Sequence, residues 1–156
     1  MRLRLLLGFL LFVSLNTVAQ SNSDQQALLR VHVRDREAHM KGDANLLTAD
    51  TASEIVDVGR GEFKRTTRDE VREHFATFFK QAKYSSYEDV TPPIIHISSD
   101  GRSAFMAVQI RAKLTISDPG KPPQDLDFQT AWLATYEKQN GKWLMVAIGY
   151  SVPAGK

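Results

Sequence analysis

The run from Ser103 to Ile116, SAFMAVQIRAKLTI, sets Ala104, Met106, Val108, Ile110, Ala112, Leu114 and Ile116 at every second position. Phe105, Gln109, Arg111 and Lys113 stand between them. A period of two sends successive side chains to opposite faces of a pleated strand. The segment therefore predicts one long strand with an apolar face to cover and a largely polar face, suited to solvent or to a dimer contact. Two further strands, Leu126 to Lys138 and Trp143 to Val152, meet around Asn140-Gly141, a hairpin turn signal. Upstream, SYEDVTPPIIHIS reads as a strand interrupted by Pro92 and Pro93, which suits an edge or a bend.

Before Tyr84 the period is helical. Ser23 with Gln26 three residues on predicts a helix start, and Gly42 a stop after Lys41. Asp43 can cap a short second helix, Ala44 to Leu47. EIVDVGRGEF predicts a short strand, Glu54 to Val58, leaving through glycines. Thr67 and Glu70 have capping-box spacing, and Val71, Phe75, Phe78, Phe79 and Ala82 fall on one stripe of a third helix. Three helices followed by an antiparallel meander is an α+β plan, with the helices on one face of a curled sheet.

The N-terminus has a different composition. Arg2 and Arg4 precede the apolar run Leu5 to Val13, and Thr17-Val18-Ala19 offers small residues for cleavage. That order predicts a secretory signal peptide over 1–19, a polar lead over 20–24 and a single domain over 25–153, hence a secreted or periplasmic protein. Removing residues 1–19 leaves 18 basic against 18 acidic residues, so the pI of about 8.9 owes much to the leader. A neutral domain without a basic cluster argues against nucleic acid as a partner. With no cysteine in the chain, there is no disulfide, no lipidated cysteine to hold the mature protein at a membrane, no thiol nucleophile and no cysteine zinc site.

The first helix carries the unusual feature. On a wheel of 100° per residue, Arg30, Arg34, Glu37 and Lys41 mark the wet side. The opposite side centres on Leu28, His32 and His39, flanked by Asp35 and Arg36 and bordered by Leu29, Val33 and Met40. Burying ionisable groups costs several kcal/mol unless they are paired or wetted. Either they satisfy one another in a structural network, or they line a cavity. A metal held by His32, Asp35 and His39 is disfavoured, because i and i+7 lie about 10 Å apart along the axis.

This order of elements, with GDANLL, VGRGEF and NGKW, resembles the nuclear transport factor 2-like superfamily, which includes SnoaL-like domains and ketosteroid isomerases. The resemblance spans about residues 25 to 153. It implies a cone in which helices close over a curved, mostly antiparallel sheet around a pocket, and dimerisation through the outer sheet face. It also favours the cavity over the network. Aligned on Gly42-Asp43, Asp57 falls where ketosteroid isomerases keep their general-base aspartate. Their oxyanion-hole donors do not carry over, since Asp35 and Trp132 stand in those places. The resemblance therefore does not extend to steroid isomerisation.

Other candidates have plain alternatives. Asp57 can equally cap the turn at Gly59. Gly59-Arg60-Gly61 reads as a turn that can aim Arg60 at the pocket. Trp132 shares a face with Phe128 and Tyr136, where aromatics mostly fill a core, and is placed near the cavity. Tyr150 can offer a hydroxyl. His74 reads as a packing or surface residue and His96 as outward-facing.

The leading expectation is an exported domain that binds a small, partly apolar molecule without cofactor or metal, using His32, Arg36, Arg60, Trp132 and Tyr150. The alternative is a cofactor-free acid–base enzyme, a dehydratase, cyclase or isomerase. There Asp57 takes a proton, His39 relays or donates one, and Asp35 fixes the imidazole tautomer. A third reading is a scaffold whose sheet serves only dimerisation.

Overall fold

The long alternating strand organises the sheet. In a computed structural model, which describes the backbone of residues 4–151 and the side chains of 22–151, it is β5 (Ser103–Ile116), as expected. β6 (Gln124–Gln139) pairs with it antiparallel along its whole length, from Ser103↔Glu137 to Ile116↔Gln124. The other edge of β5 is shared. β3 (Ala82–Asp89) takes Ile110 to Ile116, and β4 (Ile94–Ile97) takes Ala104 to Ala107. Pro92 and Pro93 fall in the gap between β3 and β4, where no ladder needs an N–H from them.

β7 (Lys142–Tyr150) returns from β6 through Asn140-Gly141, both at positive φ (50° and 81°), as the hairpin signal required. β1 (Thr51–Gly59) then adds to β7 in parallel, and β2 (Glu62–Thr67) closes that edge antiparallel. The sheet order is β2-β1-β7-β6-β5-β3, with β4 off the path, making a mixed, mostly antiparallel curved sheet. β2 was not foreseen. EFKRTT is exposed at all but Thr66, so this edge strand has no apolar face to betray it.

α1 (Arg4–Lys41) runs on through Ser23 instead of starting there. A cap residue is only a preference, and no proline breaks the stretch before it. The expected signal peptide lies outside the described side chains. Asp24, assigned from sequence to the polar lead, belongs to the fold. Its carboxylate is 4% exposed, accepts from Trp143 Nε1 at 3.2 Å and pairs with Lys138 at 2.5 Å. Among the described residues no helix is long and apolar enough to cross a membrane. α2 (Ala44–Leu47) is capped by Asp43, and α3 (Arg68–Gln81) opens on the Thr67–Glu70 capping box, both as read.

The helices cover one face of the sheet, giving an α+β cone. Met106, Ile110, Ala112 and Ala134 are fully buried against Leu28 of α1. Burying a leucine or isoleucine side chain stabilises by about 1.5–3 kcal/mol, so this seam anchors the first helix. His74 is exposed, and His96 points outward and stacks on Phe105.

Candidate functional site

The wheel placed two histidines inward, and both are there. His32 is 3% and His39 8% exposed. Val33 and Met40, expected to border them, are instead 58% and 45% exposed, turned to the wet side.

Each imidazole has a defined orientation. His32 donates from Nε2 to Asp89 Oδ1 at 2.7 Å. In the neutral ring this leaves Nδ1 an acceptor, and that atom is buried without a protein partner. Arg36 also holds Asp89, donating to Oδ2 at 3.1 Å, and donates to the Tyr87 carbonyl at 3.2 Å. Arg36 is thus engaged with β3.

His39 donates from Nδ1 to the backbone carbonyl of Asp35 at 2.8 Å, while the Asp35 carboxylate stands off at 3.7 Å. The tautomer is therefore fixed by the main chain, correcting the role expected of the Asp35 side chain. The His39 ring stacks on Tyr87 with centroids 4.1 Å apart, and meets Tyr84 edge-on at 5.3 Å. Phe79 also meets it edge-on, at 5.8 Å.

Asp35 lies within this aromatic wall. Burial holds its carboxyl above the ordinary value, against the opposing pull of His39 and His32. Burial, followed by the charge of Asp35, pushes the Tyr84 phenol up to about 12 and raises Tyr87 and Tyr136 as well. Yet 25% of the Asp35 side chain is accessible, while its Oδ2 is buried without a partner.

Across the sheet, Asp57 pairs with Lys64 and Ile148 in mid-strand rather than capping the turn. Its Oδ1 is likewise buried and unpartnered, and no hydrogen bond joins it to His39. Trp132 lies on the inner face, its ring 6.0 Å from His32. Tyr150, 40% exposed, lies over Gly59, where an added Cβ would come within 2.4 Å of the ring. That close approach explains the glycine. Arg60 stands exposed at the tip of the β1–β2 hairpin with φ 54°, away from the inner wall, which corrects the expected inward aim.

Sequence reasoning missed Asp89, Tyr84 and Tyr87. A bulge between Tyr84 and Ser86 shifts the phase of β3, so Tyr87 and Asp89 face inward with Tyr84. Two concavities open at the surface. One of about 210 Å³, lined by Val33, Arg36, Glu37, Met40 and Tyr87, follows the seam of α1 and β3. The other, about 410 Å³, lies on the outer sheet face around Ile94, Ala107 and Leu133.

No family model matches the chain, and no curated protein does. Solved structures match it well. A nuclear transport factor 2-like superfamily protein from Salmonella enterica serovar Typhimurium shares 19% identity over 86% of this chain and 94% of its own, with a TM-score of 0.69. A ketosteroid isomerase-like protein from Erwinia carotovora shares 16% over 83% and 96%, with a TM-score of 0.65. A protein from Novosphingobium aromaticivorans described as nuclear transport factor 2-like with a cystatin-like fold shares 12% over 92% and 91%, at 0.66. The fold is the nuclear transport factor 2-like cone, as the sequence resemblance implied.

Proposed function

We propose that this chain is an exported domain that binds a small, partly apolar molecule inside its cone. The observation that carries the reading is the set of polar atoms buried without protein partners: Asp35 Oδ2, Asp57 Oδ1 and His32 Nδ1. An unsatisfied buried polar group costs about 1–3 kcal/mol, so three on inward-facing elements of one small domain favour the reading of a site kept for a ligand over one kept for stability. The Asp35 side chain is 25% accessible beside that of His39 at 9%, which suits a group that a ligand can reach. Tyr84, Tyr87, Trp132 and Phe128 supply the apolar wall. Export rests on the leader-like order of residues 1–19, and pairing of two copies on the outer sheet face, where Ile94, Phe105 and Leu133 are exposed. Mass spectrometry of small molecules released from the purified native protein tests the reading. A stoichiometric organic species absent from an Asp35→Asn, His39→Leu double variant is expected. Equal release from both proteins would remove the cone as the binding site.

One observation favours the acid–base alternative. His32 and Asp89 form a carboxylate–imidazole pair at hydrogen-bond distance, with the remaining ring nitrogen unpartnered. Such a pair can accept a proton at Nδ1 while the carboxylate stabilises the imidazolium. If the domain is an enzyme, His32–Asp89 meets that need better than His39–Asp35, whose side chains lie 3.7 Å apart.

A further inference from the structure

The three unpartnered atoms have one property in common. Asp35 Oδ2 and Asp57 Oδ1 are carboxylate oxygens, and His32 Nδ1 is the bare nitrogen of a ring that donates through Nε2. All three accept hydrogen bonds and none donates. An occupant that satisfied them would have to bring donors.

The charges point the same way. Arg36 and His32 are committed to Asp89. Arg34 is committed to Asp50 at 2.6 Å. Lys138 is committed to Asp24. Around Asp35 stand His39, His32 and Arg36; His39 Nδ1 donates to a backbone carbonyl, and the other two are held by Asp89. Among the described residues, the Arg36 cation near Asp35 is bonded to another carboxylate, and Asp35 itself forms no ion pair with a lysine or arginine. Around Asp35 the surfaces are aromatic: Tyr84 and Tyr87 meet at 5.5 Å, His39 stacks on Tyr87, and Tyr136 feels the same charge. A carboxylate set among aromatic faces suits an ammonium group, which gains both an ion pair and the ring quadrupole.

We infer that the cone takes a small organic cation, a primary or secondary amine on an apolar body, with its ammonium at the Asp35 carboxylate among Tyr84, Tyr87 and Tyr136. Asp57 and His32 accept from further donors on the same molecule. An anionic occupant is disfavoured because its charge would face unneutralised carboxylates. A neutral hydrocarbon would leave all three acceptors unmet. This inference rests on the ligand-binding reading above and adds the sign of the ligand's charge to it.

The test uses matched probes on the full domain: 2-phenylethylamine, 2-phenylethanol and 3-phenylpropionate, with butylamine, butanol and butyrate as a smaller set. Binding is followed by calorimetry and by chemical shifts of the Trp132 indole near neutral pH. The amines are expected to bind at least about tenfold more tightly than the alcohols, with the acids weakest. Asp35→Asn, checked for folding by circular dichroism, is expected to weaken the amines by about tenfold and leave the alcohols unchanged. Alcohols or acids binding as well as the amines would overturn the cationic assignment while leaving a pocket in place. Failure of every probe to bind or to shift Trp132 would overturn both this inference and the ligand-binding reading. Amine binding undiminished in Asp35→Asn would refute Asp35 as the anchor.

Discussion

Two halves of the inner sheet face use the same backbone differently. Along β5, Met106, Ile110 and Ala112 are wholly buried against Leu28, with no polar side chain among them. A few residues further along α1 and across on β1, Asp35 and Asp57 each hold an oxygen with no protein partner, and His32 a nitrogen. Apolar burial is the main favourable term in folding, and unpaired polar burial opposes it. The first half makes the fold; the second weakens it. This contrast is the basis of the proposed binding site, because stability alone would favour leucines at those positions.

The largest expected effect lies in the sealed half. Ile110→Ala should cost about 2–5 kcal/mol in urea denaturation, since its environment is fully packed. A smaller loss would mean that the seam is looser than its burial implies, and the contrast would break. Next comes Asp89→Ala, which removes the acceptor for both His32 and Arg36. Stranding a buried ring N–H should cost about 1–3 kcal/mol, measured the same way. His39→Leu should cost less than about 1 kcal/mol while abolishing retention of whatever copurifies with the protein. The ring's hydrogen bond goes to a helix carbonyl that already has a backbone partner, and a leucine fits beside Tyr84 and Phe79. A loss as large as that for Ile110→Ala would assign His39 to the structural core instead.

These effects rest on residues of unequal legibility. β5 and β6 could be read because one face of each is buried and the other is not, which writes the period of two into the residues. His32 and His39 could be read because α1 is continuous and its wheel holds phase from Leu28 to Lys41. β2 could not, for an edge strand wet on both faces carries no periodic signal. Asp89 could not either. Counting by twos from Tyr84 turns Ser86 and Glu88 inward, and only the bulge brings Tyr87 and Asp89 to that face. The partner that orders His32 was hidden by one extra residue. Arg60 and Tyr150 lay within reach of sequence as a turn and a strand end, but nothing in the residues fixed where their side chains point.

The most direct test compares thermal unfolding of the wild type and Asp35→Asn across acid to neutral pH. Burial raises the folded pKa of Asp35 above its ordinary 3.8. Between those two values the folded state binds more protons than the unfolded one, so stability falls as pH rises through that window. The Asp35 carboxylate is then a net cost near neutral pH and none in acid. Asp35→Asn should therefore melt higher than the wild type near neutral pH, with the gain vanishing below the ordinary carboxylate range. A variant that melts lower near neutral pH would show that the carboxylate is paired for structure, and would contradict a site retained for a ligand.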